Sequence, residues 1–328
     1  MRALVTGAGG FIGSHLVEEL ISNQFEVIPM IKYKSEIHYG WLKELLEKNI
    51  IDHKKIVIGD ITDASFIKQV VKECDVIFNL AALIGIPYSY QSPGSYVNTN
   101  IIGTYNILES IRGTEKTLVQ TSTSEVYGTA QYIPIDEKHP KVGQSPYAAT
   151  KISADELCLS YYRSFGLDVR ILRPFNTYGP RQSQRAVIPT IIRQVLNPQL
   201  SEIKLGNLTA TRDFNFVEDT SKAFIEIYKS KGTKGLAVNA ASNFEISIEK
   251  LTSIILETTG ISKPIIQDKK RLRPSNSEVE RLYGCNKLIK NVTNWEPKFS
   301  GIDGFKNGLG ITIDWFKKNP DNFKGYSV

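Results

Sequence analysis

The chain has 328 residues, enough for one α/β core with a smaller second lobe, and its composition (41% hydrophobic, 23% charged) is that of an ordinary soluble globular protein. Its net charge of +6 suits a phosphate-bearing substrate, and the lack of Lys/Arg runs interleaved with aromatic residues argues against nucleic-acid binding. The three cysteines and four histidines are dispersed, so we expect no disulfide framework and no metal site. No apolar run is long enough for a signal peptide or a membrane span, which predicts a cytoplasmic protein with no membrane association.

Short apolar segments alternate with helical patterns over the first half of the chain. Strands are predicted at residues 3–7, 25–31, 55–59, 75–81 and 117–122. Their β-branched, doubly apolar character is typical of parallel strands that are buried on both faces. Between the first two strands, Ile12, Leu16 and Leu20 recur at helical spacing over residues 11–23. This alternation predicts an α/β fold with a Rossmann-type, doubly wound parallel sheet.

A longer helix and a sixth strand follow. Ser145 before Pro146 is typical of a helix N-terminus and predicts a helix that runs to about Ser164. Residues 167–174 predict a further strand. Beyond it the elements become shorter and turn residues cluster, which indicates a second and less regular lobe.

The segment VTGAGGFIGSH (5–15) places Gly7, Gly10 and Gly13 where the first strand turns into the first helix. Glycine lets the backbone approach a pyrophosphate closely, and the helix N-terminus offers free N–H groups and a favourable dipole. Because the trio follows a strand and opens a helix, it predicts a dinucleotide-binding site rather than a simple tight turn.

The end of the second strand normally decides between NAD and NADP. An acidic residue there binds the ribose 2′-hydroxyl, whereas a basic residue accommodates a 2′-phosphate. The sequence has no acid before Glu36 and offers Lys32 and Lys34, so NADP is favoured and NAD is possible, unless both lysines are merely solvated. Asp60, after the third strand, is a candidate for the adenine amino group, or otherwise for a helix cap.

The segment SPYAATK (145–151) puts Tyr147 and Lys151 four residues apart on one helix face. A phenol has an unperturbed pKa of about 10, and a nearby ammonium group stabilises the phenolate. With the hydroxyl of Thr123, the pair predicts an acid–base centre. A cofactor-binding sensor would need the glycine turn but not this pair, so an enzyme is favoured.

Five motifs along the chain match one known family: TGAGGFIG (6–13), NLAA (79–82), STSEVYG (122–128), YAATK (147–151) and RPFNTYGPRQ (173–182). On these motifs the chain resembles the extended short-chain dehydrogenase/reductase family over essentially its whole length. The resemblance implies mostly nucleotide-sugar substrates and a homodimer formed through two helices per subunit. It also implies that Thr123 binds the sugar 4-hydroxyl, that Tyr147 removes its proton, and that hydride passes from C4 to the nicotinamide.

The cofactor residues that follow from the glycine turn and the resemblance are Gly7, Gly10, Phe11, Ile12, Gly13, Lys32, Asp60, Ile61, Ala81, Tyr147 and Lys151. For the substrate, the resemblance implies that Asn176, Arg181, Arg212 and Arg273 hold the phosphates or the sugar. Residues 1–175 are predicted to form an NAD(P)-binding Rossmann domain. Residues 176–328 are predicted to form a smaller α/β nucleotide-sugar-binding lobe, with about 206–260 returning to the first domain.

The triad of Thr123, Ser124 and Glu125 resembles that of nucleotide-sugar 4,6-dehydratases. Once C4 is a ketone, the C5 proton becomes acidic, and Glu125 is placed to remove it while the C6 hydroxyl leaves as water. Many of these enzymes have Asp where this chain has Ser124, and a hydroxyl is a weak proton donor. The acid for the leaving water therefore stays open between Glu125 itself and a relay through Ser124.

Two other enzymes remain alternatives. A UDP-sugar 4-epimerase needs Thr123, Tyr147 and Lys151 but not Glu125, and a UDP-glucuronate decarboxylase would need a cation such as Arg271 or Arg273. The segments 38–47, 181–192 and 273–284 instead resemble the N-acetylglucosamine dehydratases of legionaminic-acid pathways. That resemblance implies UDP- or GDP-linked N-acetylglucosamine as the substrate.

Overall fold

The computed structural model describes residues 1–33, 38–271 and 278–320. The strands within these residues are β1 (Arg2–Thr6), β2 (Glu26–Lys32), β3 (Val57–Gly59), β4 (Val76–Asn79), β5 (Thr117–Thr121), β6 (Asp168–Pro174), β7 (Asn176–Tyr178), β8 (Ile203–Leu205), β9 (Thr211–Phe216), β10 (Ala237–Ala240), β11 (Glu245–Ser247) and β12 (Ile265–Gln267). The α-helices are α1 (Phe11–Ser22), α2 (Leu42–Glu47), α3 (Ala64–Val70), α4 (Ile86–Gln91), α5 (Pro93–Tyr96), α6 (Gly103–Ile111), α7 (Pro146–Phe165), α8 (Val187–Leu196), α9 (Val217–Lys229), α10 (Ile248–Thr259), α11 (Lys287–Val292) and α12 (Gly301–Lys318).

The main sheet has seven strands in the described residues, in the order β10-β6-β5-β4-β1-β2-β3. Every neighbouring pair in it is parallel. From β1 the chain first adds β2 and β3 on one side of the sheet and then β4, β5, β6 and β10 on the other side. The direction in which strands are added therefore reverses between β1 and β4. This confirms the predicted Rossmann-type sheet, and such a reversal point is where open α/β sheets bind ligands.

Helices cover both faces of this sheet, as parallel strands require. Successive residues of β1 point to opposite faces, so Ala3 and Val5 pack in one core while Leu4 packs in the other. The first core is completed by α1, α2 and α9, and the second by α3, α6 and α7. The predicted helix from Ser145 is α7, with Ser145 as its N-cap and Gly166 as its left-handed C-cap.

A second lobe is built around its own apolar cluster. Its three-stranded sheet has the order β11-β9-β7, and β8 pairs with β12. Apolar side chains from α8, α10 and α12 pack on these strands around Tyr178 and Phe305. Within residues 206–260, α9 and β10 belong to the main sheet and its core, whereas β9, β11 and α10 belong to the lobe. The domain division at residue 175 stays a prediction.

Tryptophan and aspartate side chains join the two parts. Asp219, in the first turn of α9, accepts hydrogen bonds from the backbone amides of Lys298 and Phe299. The Trp295 indole donates to the Asp219 carbonyl.

None of the helices that the structure describes combines the length and the apolar character needed to cross a membrane.

Candidate active site

The glycine-rich turn lies at the carboxyl edge of the main sheet, between β1 and α1. Gly7 has a φ of +68°, and a Cβ there would lie 2.9 Å from the Ala81 amide nitrogen. A Cβ on Gly13 would lie 2.3 Å from the Gly7 carbonyl oxygen. A side chain at either position would collide with this neighbouring backbone, so the close packing of β1, α1 and the segment after β4 requires glycine. The turn leads into the N-terminus of α1, whose free amide groups are of the kind that bind a pyrophosphate, and the assignment of this turn to the cofactor stays a prediction.

A buried polar ladder holds the strand ends around this turn, and the sequence reasoning missed it. The Thr6 hydroxyl donates to Asn79 Oδ1 at 2.6 Å, and Asn79 Nδ2 donates to Gln120 Oε1 at 2.8 Å. Thr6 Oγ1 also accepts from the amides of Leu80 and Ala81, at 3.1 and 3.0 Å. The ladder thus fixes Ala81, a predicted cofactor residue, against Gly7. Polar residues at the ends of otherwise apolar strands were the only signal for it.

At the other end of the predicted cofactor site, Lys32 forms an ion pair with Asp60, with 3.1 Å between Nζ and Oδ2. Asp60 Oδ1 also accepts hydrogen bonds from the Thr62 amide and hydroxyl, both at 3.0 Å. Ile61 is buried against Gly103. Lys34, the second basic residue in the NADP argument, lies outside the described residues. Asp60 therefore partly neutralises the positive charge of Lys32. The Asp60 carboxylate is itself already bound to Lys32 and Thr62.

The residues predicted to be catalytic come together where β5 meets the first turn of α7. Residues Ser124–Tyr127 form a short 3-10 turn after β5, and Thr123 caps it by accepting from the Glu125 amide at 3.2 Å. The Thr123 side chain is hydrogen-bonded with Tyr147. Ser124 is buried, whereas Thr123 and Glu125 are partly exposed. Glu125 is thus more accessible to a substrate than Ser124 is.

The electrostatics of the cluster favour a neutral phenol in the free protein. Burial raises the pKa of Tyr147, the hydrogen bond with Thr123 lowers it, and the charge of Glu125 raises it further. Burial lowers the pKa of Lys151, and the charge of Asp155 opposes that change. The Lys151 ammonium donates to the Thr121 carbonyl, which anchors α7 to the end of β5.

A second buried network, also missed from the sequence, supports this cluster from beneath. Asp155 Oδ2 accepts from Ser122 Oγ at 2.8 Å and from Arg173 Nε at 3.0 Å. Arg173 also donates to the Tyr127 hydroxyl at 3.0 Å, and that hydroxyl donates to Asn239 Oδ1 at 2.7 Å. Asp155 lies one turn after Lys151, and Ser122 precedes Thr123. The network therefore joins α7 to the end of β5, directly before the turn that carries the predicted triad.

The predicted phosphate ligands have different surroundings. Asn176 on β7 pairs in register with Phe214 on β9, so Arg212, two residues earlier, emerges on the same face. Among the described residues, the buried Asn176 Nδ2 has no hydrogen-bond partner, which fits a ligand oxygen. Arg212 is buried, donates to the Thr211 carbonyl at 2.8 Å and lies 3.5 Å from Glu278. Arg273 lies outside the described residues.

Arg181 has a different environment from the one expected of a substrate ligand. Its guanidinium group is 5% exposed and binds Glu18 at 2.7 Å and Glu44 at 2.9 Å. Further hydrogen bonds run to the other Glu18 oxygen at 3.2 Å and, through Nε, to Glu44 at 3.1 Å. These two carboxylates occupy the hydrogen-bond donors of the planar guanidinium group. The contacts of Arg181 therefore do not support its prediction as a phosphate ligand.

Comparison with known proteins gives relatives that are named as 4,6-dehydratases and relatives that are named as 4-epimerases. The family model described as GDP-mannose 4,6 dehydratase matches residues 4–307. A protein of Methanocaldococcus jannaschii, named provisionally as a UDP-glucose 4-epimerase, is 34% identical over 323 residues, covering 96% of this chain and 98% of its own. The dTDP-glucose 4,6-dehydratase of Streptomyces antibioticus is 31% identical over 327 residues, covering 97% and 93%. The structure of dTDP-glucose 4,6-dehydratase from Bacillus anthracis in complex with NAD superposes with a TM-score of 0.84 at 29% identity and covers 99% of each chain.

Proposed function

Since the chain belongs to the GDP-mannose 4,6-dehydratase family, within the extended short-chain dehydrogenases/reductases, we propose that it is a nucleotide-sugar 4,6-dehydratase that uses a nicotinamide cofactor. The observation that carries the proposal is the position of Glu125. It lies on the same short turn as Thr123, and its charge acts on Tyr147, so a base for C5 accompanies the group that deprotonates the 4-hydroxyl.

In this proposal each step is assigned to a residue of the chain. Thr123 orients the sugar 4-hydroxyl, and Tyr147 accepts its proton with the support of the Lys151 cation. A bound nicotinamide would supply the hydride acceptor for C4 and the hydride donor for C6, so the reaction would involve no net oxidation. Glu125 takes the C5 proton while the C6 hydroxyl leaves as water. Because Ser124 is buried, we assign to Glu125 the transfer of this proton to the leaving hydroxyl. C5 then takes up one proton when hydride reaches C6, which balances the proton that Tyr147 removed from the 4-hydroxyl.

The finer substrate assignment rests on resemblance. We propose UDP- or GDP-linked N-acetylglucosamine, giving the 4-keto-6-deoxy sugar, as in legionaminic-acid pathways. The orphaned amide of Asn176 and the neighbouring Arg212 support a diphosphate in the lobe. We also propose that residues 1–175 bind the cofactor and residues 176–328 the nucleotide sugar.

The provisional name of the M. jannaschii relative makes 4-epimerisation the second candidate. Epimerisation at C4 does not use a base for C5, so a partly exposed carboxylate at position 125 favours dehydration. For the decarboxylase alternative, one of its two cations, Arg271, lies 3.5 Å from Asp268 and is engaged in that ion pair. The other, Arg273, lies outside the described residues.

The choice between NADP and NAD depends on Lys32. The basic end of β2 supports NADP, whereas the dehydratase of B. anthracis was crystallised with NAD. The ion pair with Asp60 reduces the charge that Lys32 offers to a 2′-phosphate. We propose a modest NADP preference, which Lys32→Gln should remove without weakening NAD binding. Titration of both dinucleotides against both proteins tests this directly.

We also propose a homodimer. Three large apolar side chains, Val97, Ile102 and Tyr105, are about two-fifths exposed along the segment that leads into α6. Phe165, at the end of α7, is half-exposed. Several large apolar side chains exposed along one segment are typical of a subunit interface. Light scattering of wild type and Ile102→Glu should give a dimer and a monomer; a wild-type monomer would contradict the proposal.

The function is tested by product masses. Purified protein is offered UDP-N-acetylglucosamine, GDP-N-acetylglucosamine and UDP-glucuronate separately, without and with added NAD or NADP. Loss of one water from an N-acetylglucosamine nucleotide supports the dehydratase. The nucleotide that reacts also shows whether the substrate carries uracil or guanine. Loss of carbon dioxide from UDP-glucuronate, or an unchanged mass with the 4-epimer on separation, would contradict it.

The variant Glu125→Gln tests the elimination step with a side chain of matched size. Glutamine keeps the size of the side chain but cannot accept the C5 proton. We expect this variant to lose water elimination while cofactor and UDP binding persist. Elimination at the wild-type rate would refute the role of Glu125 as the C5 base.

A further inference from the structure

Residues 39–47, which comprise α2 and the turn before it, cover the outer side of the glycine-rich turn. The Trp41 amide donates to the Gly9 carbonyl at 3.0 Å. A Cβ on Gly9 would lie 2.8 Å from the Tyr39 carbonyl oxygen, and a Cβ on Gly40 would lie 2.2 Å from the Gly9 oxygen. Gly40 also has a φ of +57°. The two backbone segments are thus in direct contact, and this contact requires glycine on both sides.

Arg181 ties this covering segment to two other parts of the molecule. Glu44 belongs to α2, Glu18 belongs to α1, and Arg181 follows β7 of the lobe; its guanidinium binds both carboxylates at once. Arg181 itself has a φ of +69°, so the chain adopts an unfavourable backbone conformation to present this side chain. A planar fork that bridges two carboxylates holds their helices in a defined geometry, which a lysine could not reproduce.

Two neighbouring contacts reinforce the same junction. The Trp41 and Trp315 rings meet edge to face with centroids 5.3 Å apart, which joins the covering segment to α12. His15 Nε2 lies 3.0 Å from the Pro180 carbonyl, which joins α1 to the loop that carries Arg181. The covering segment is therefore held from the lobe side by an ion-pair network and an aromatic contact, while its backbone rests on the glycine turn.

We propose that Arg181 is a positioning residue: it holds residues 39–47 against the glycine-rich turn and thereby slows release of the dinucleotide cofactor. The inference rests on the proposed nicotinamide cofactor, and it replaces the prediction that Arg181 binds the substrate. All side-chain partners of Arg181 on the described chain, Ser14, Glu18 and Glu44, lie on α1 and α2. A cofactor whose pyrophosphate occupies the turn can leave only when this segment moves away. The enzyme therefore retains its cofactor through repeated redox-neutral turnovers.

The test compares cofactor binding in Arg181→Met, Glu44→Gln and Gly40→Ala with the wild type. Arg181→Met keeps a long apolar stem but removes the fork, and Glu44→Gln removes one of its two carboxylates. Gly40→Ala loosens the same segment without altering Arg181, so it covers the case in which Arg181→Met fails to fold. Arg170→Met is the matched control, because Arg170 is also buried and paired, with Asp168, but at β6, away from the glycine turn.

The dissociation constants and release rates of NAD and NADP are measured by calorimetry and by displacement in stopped flow, with UDP and GDP binding measured at saturating cofactor. We expect Arg181→Met and Gly40→Ala to raise the cofactor dissociation constant about tenfold, a size typical of coupling between linked elements. Glu44→Gln should have a smaller effect, and Arg181→Lys should restore binding only in part. UDP and GDP binding should not change, and Arg170→Met should lower the melting temperature without altering cofactor release.

Unchanged cofactor affinity in Arg181→Met and Gly40→Ala would overturn the proposal. Weakened UDP or GDP binding with normal cofactor binding in Arg181→Met would also overturn it and would restore Arg181 as a substrate ligand. If the wild type bound neither NAD nor NADP, the proposed function would fail together with it, an outcome that is distinct from the other two.

Discussion

Replacing Asp155 with Asn tests the buried network under the catalytic cluster. Asp155 is fully buried and Arg173 is 3% exposed, so their ion pair has almost no access to water. The amide oxygen of Asn can still accept the hydrogen bond from Ser122, which keeps the shape of the site. The substitution therefore removes the negative charge and little else, and it leaves the Arg173 cation buried without a carboxylate.

The expected loss follows from what remains around Arg173. Removing one partner of a buried ion pair destabilises a protein by about 3–5 kcal/mol. Here the Tyr127 hydroxyl still accepts from Arg173, and the guanidinium lies 5.3 Å from the centroid of the Tyr127 ring. These contacts place the expected loss near the lower end, at about 3 kcal/mol, out of a total stability of about 5–15 kcal/mol for a typical domain.

Urea unfolding measures this loss, with constant m values as the check on two-state behaviour. Glu26→Gln is the control, because its ion pair with Arg2 is about half-exposed and should leave the midpoint almost unchanged. The charge of Asp155 also raises the pKa of Lys151 against the effect of burial. The alkaline limb of the pH–rate profile of Asp155→Asn should therefore shift to lower pH. A wild-type midpoint together with a wild-type alkaline limb would refute this reasoning.

Four further single substitutions carry predictions. Tyr147→Phe should abolish even the first oxidation, since phenylalanine cannot accept the 4-hydroxyl proton; turnover seen as product mass would contradict this. Gly7→Ala should prevent dinucleotide binding in a titration, because of the φ of +68° and the approach to Ala81, whereas Gly310→Ala, with open space at its Cβ, should stabilise α12 by about 0.5–1 kcal/mol. Burial, and then the charge of Arg181, lower the pKa of His15 to about 4. The folded state thus binds fewer protons than the unfolded state, and stability should fall by up to about 3 kcal/mol from pH 6.5 to 4. Urea unfolding of His15→Asn should show a flatter pH dependence; an equal slope would exclude His15 as the source.

The main sheet was predictable because each of its signals is local. Two-sided apolar strands, helical periodicity and the glycine turn each lie within a dozen residues, and each has one dominant structural explanation. The pair of Tyr147 and Lys151 was predictable for the same reason, since one helix face sets its geometry. The structure confirms the fold on these grounds, whereas the catalytic assignments stay predictions.

The buried polar networks were not predictable because their members are distant in sequence. Thr6 meets Asn79 across 73 positions, and Asp155 meets Arg173 across 18. A polar residue at a strand end carries no periodic signal that names its partner. Arg181 shows the same limit in another form: its motif suggested a phosphate ligand, but its partners are set by where α1 and α2 pack.

The predicted acid–base centre is held together by contacts within the main sheet and α7. Lys151 binds the Thr121 carbonyl, and one helical turn later Asp155 accepts from Ser122, so two adjacent residues of the β5 end are fastened to one face of α7. Thr123 and Glu125 follow immediately on a capped turn. Because these bonds lie within the main sheet and its helices, the side chains that we propose as reacting groups are ordered by contacts that involve no ligand. In the proposed function, selection of the nucleotide sugar then falls to the lobe, with Asn176 and Arg212, so substrate choice and chemistry are assigned to separate parts of the fold.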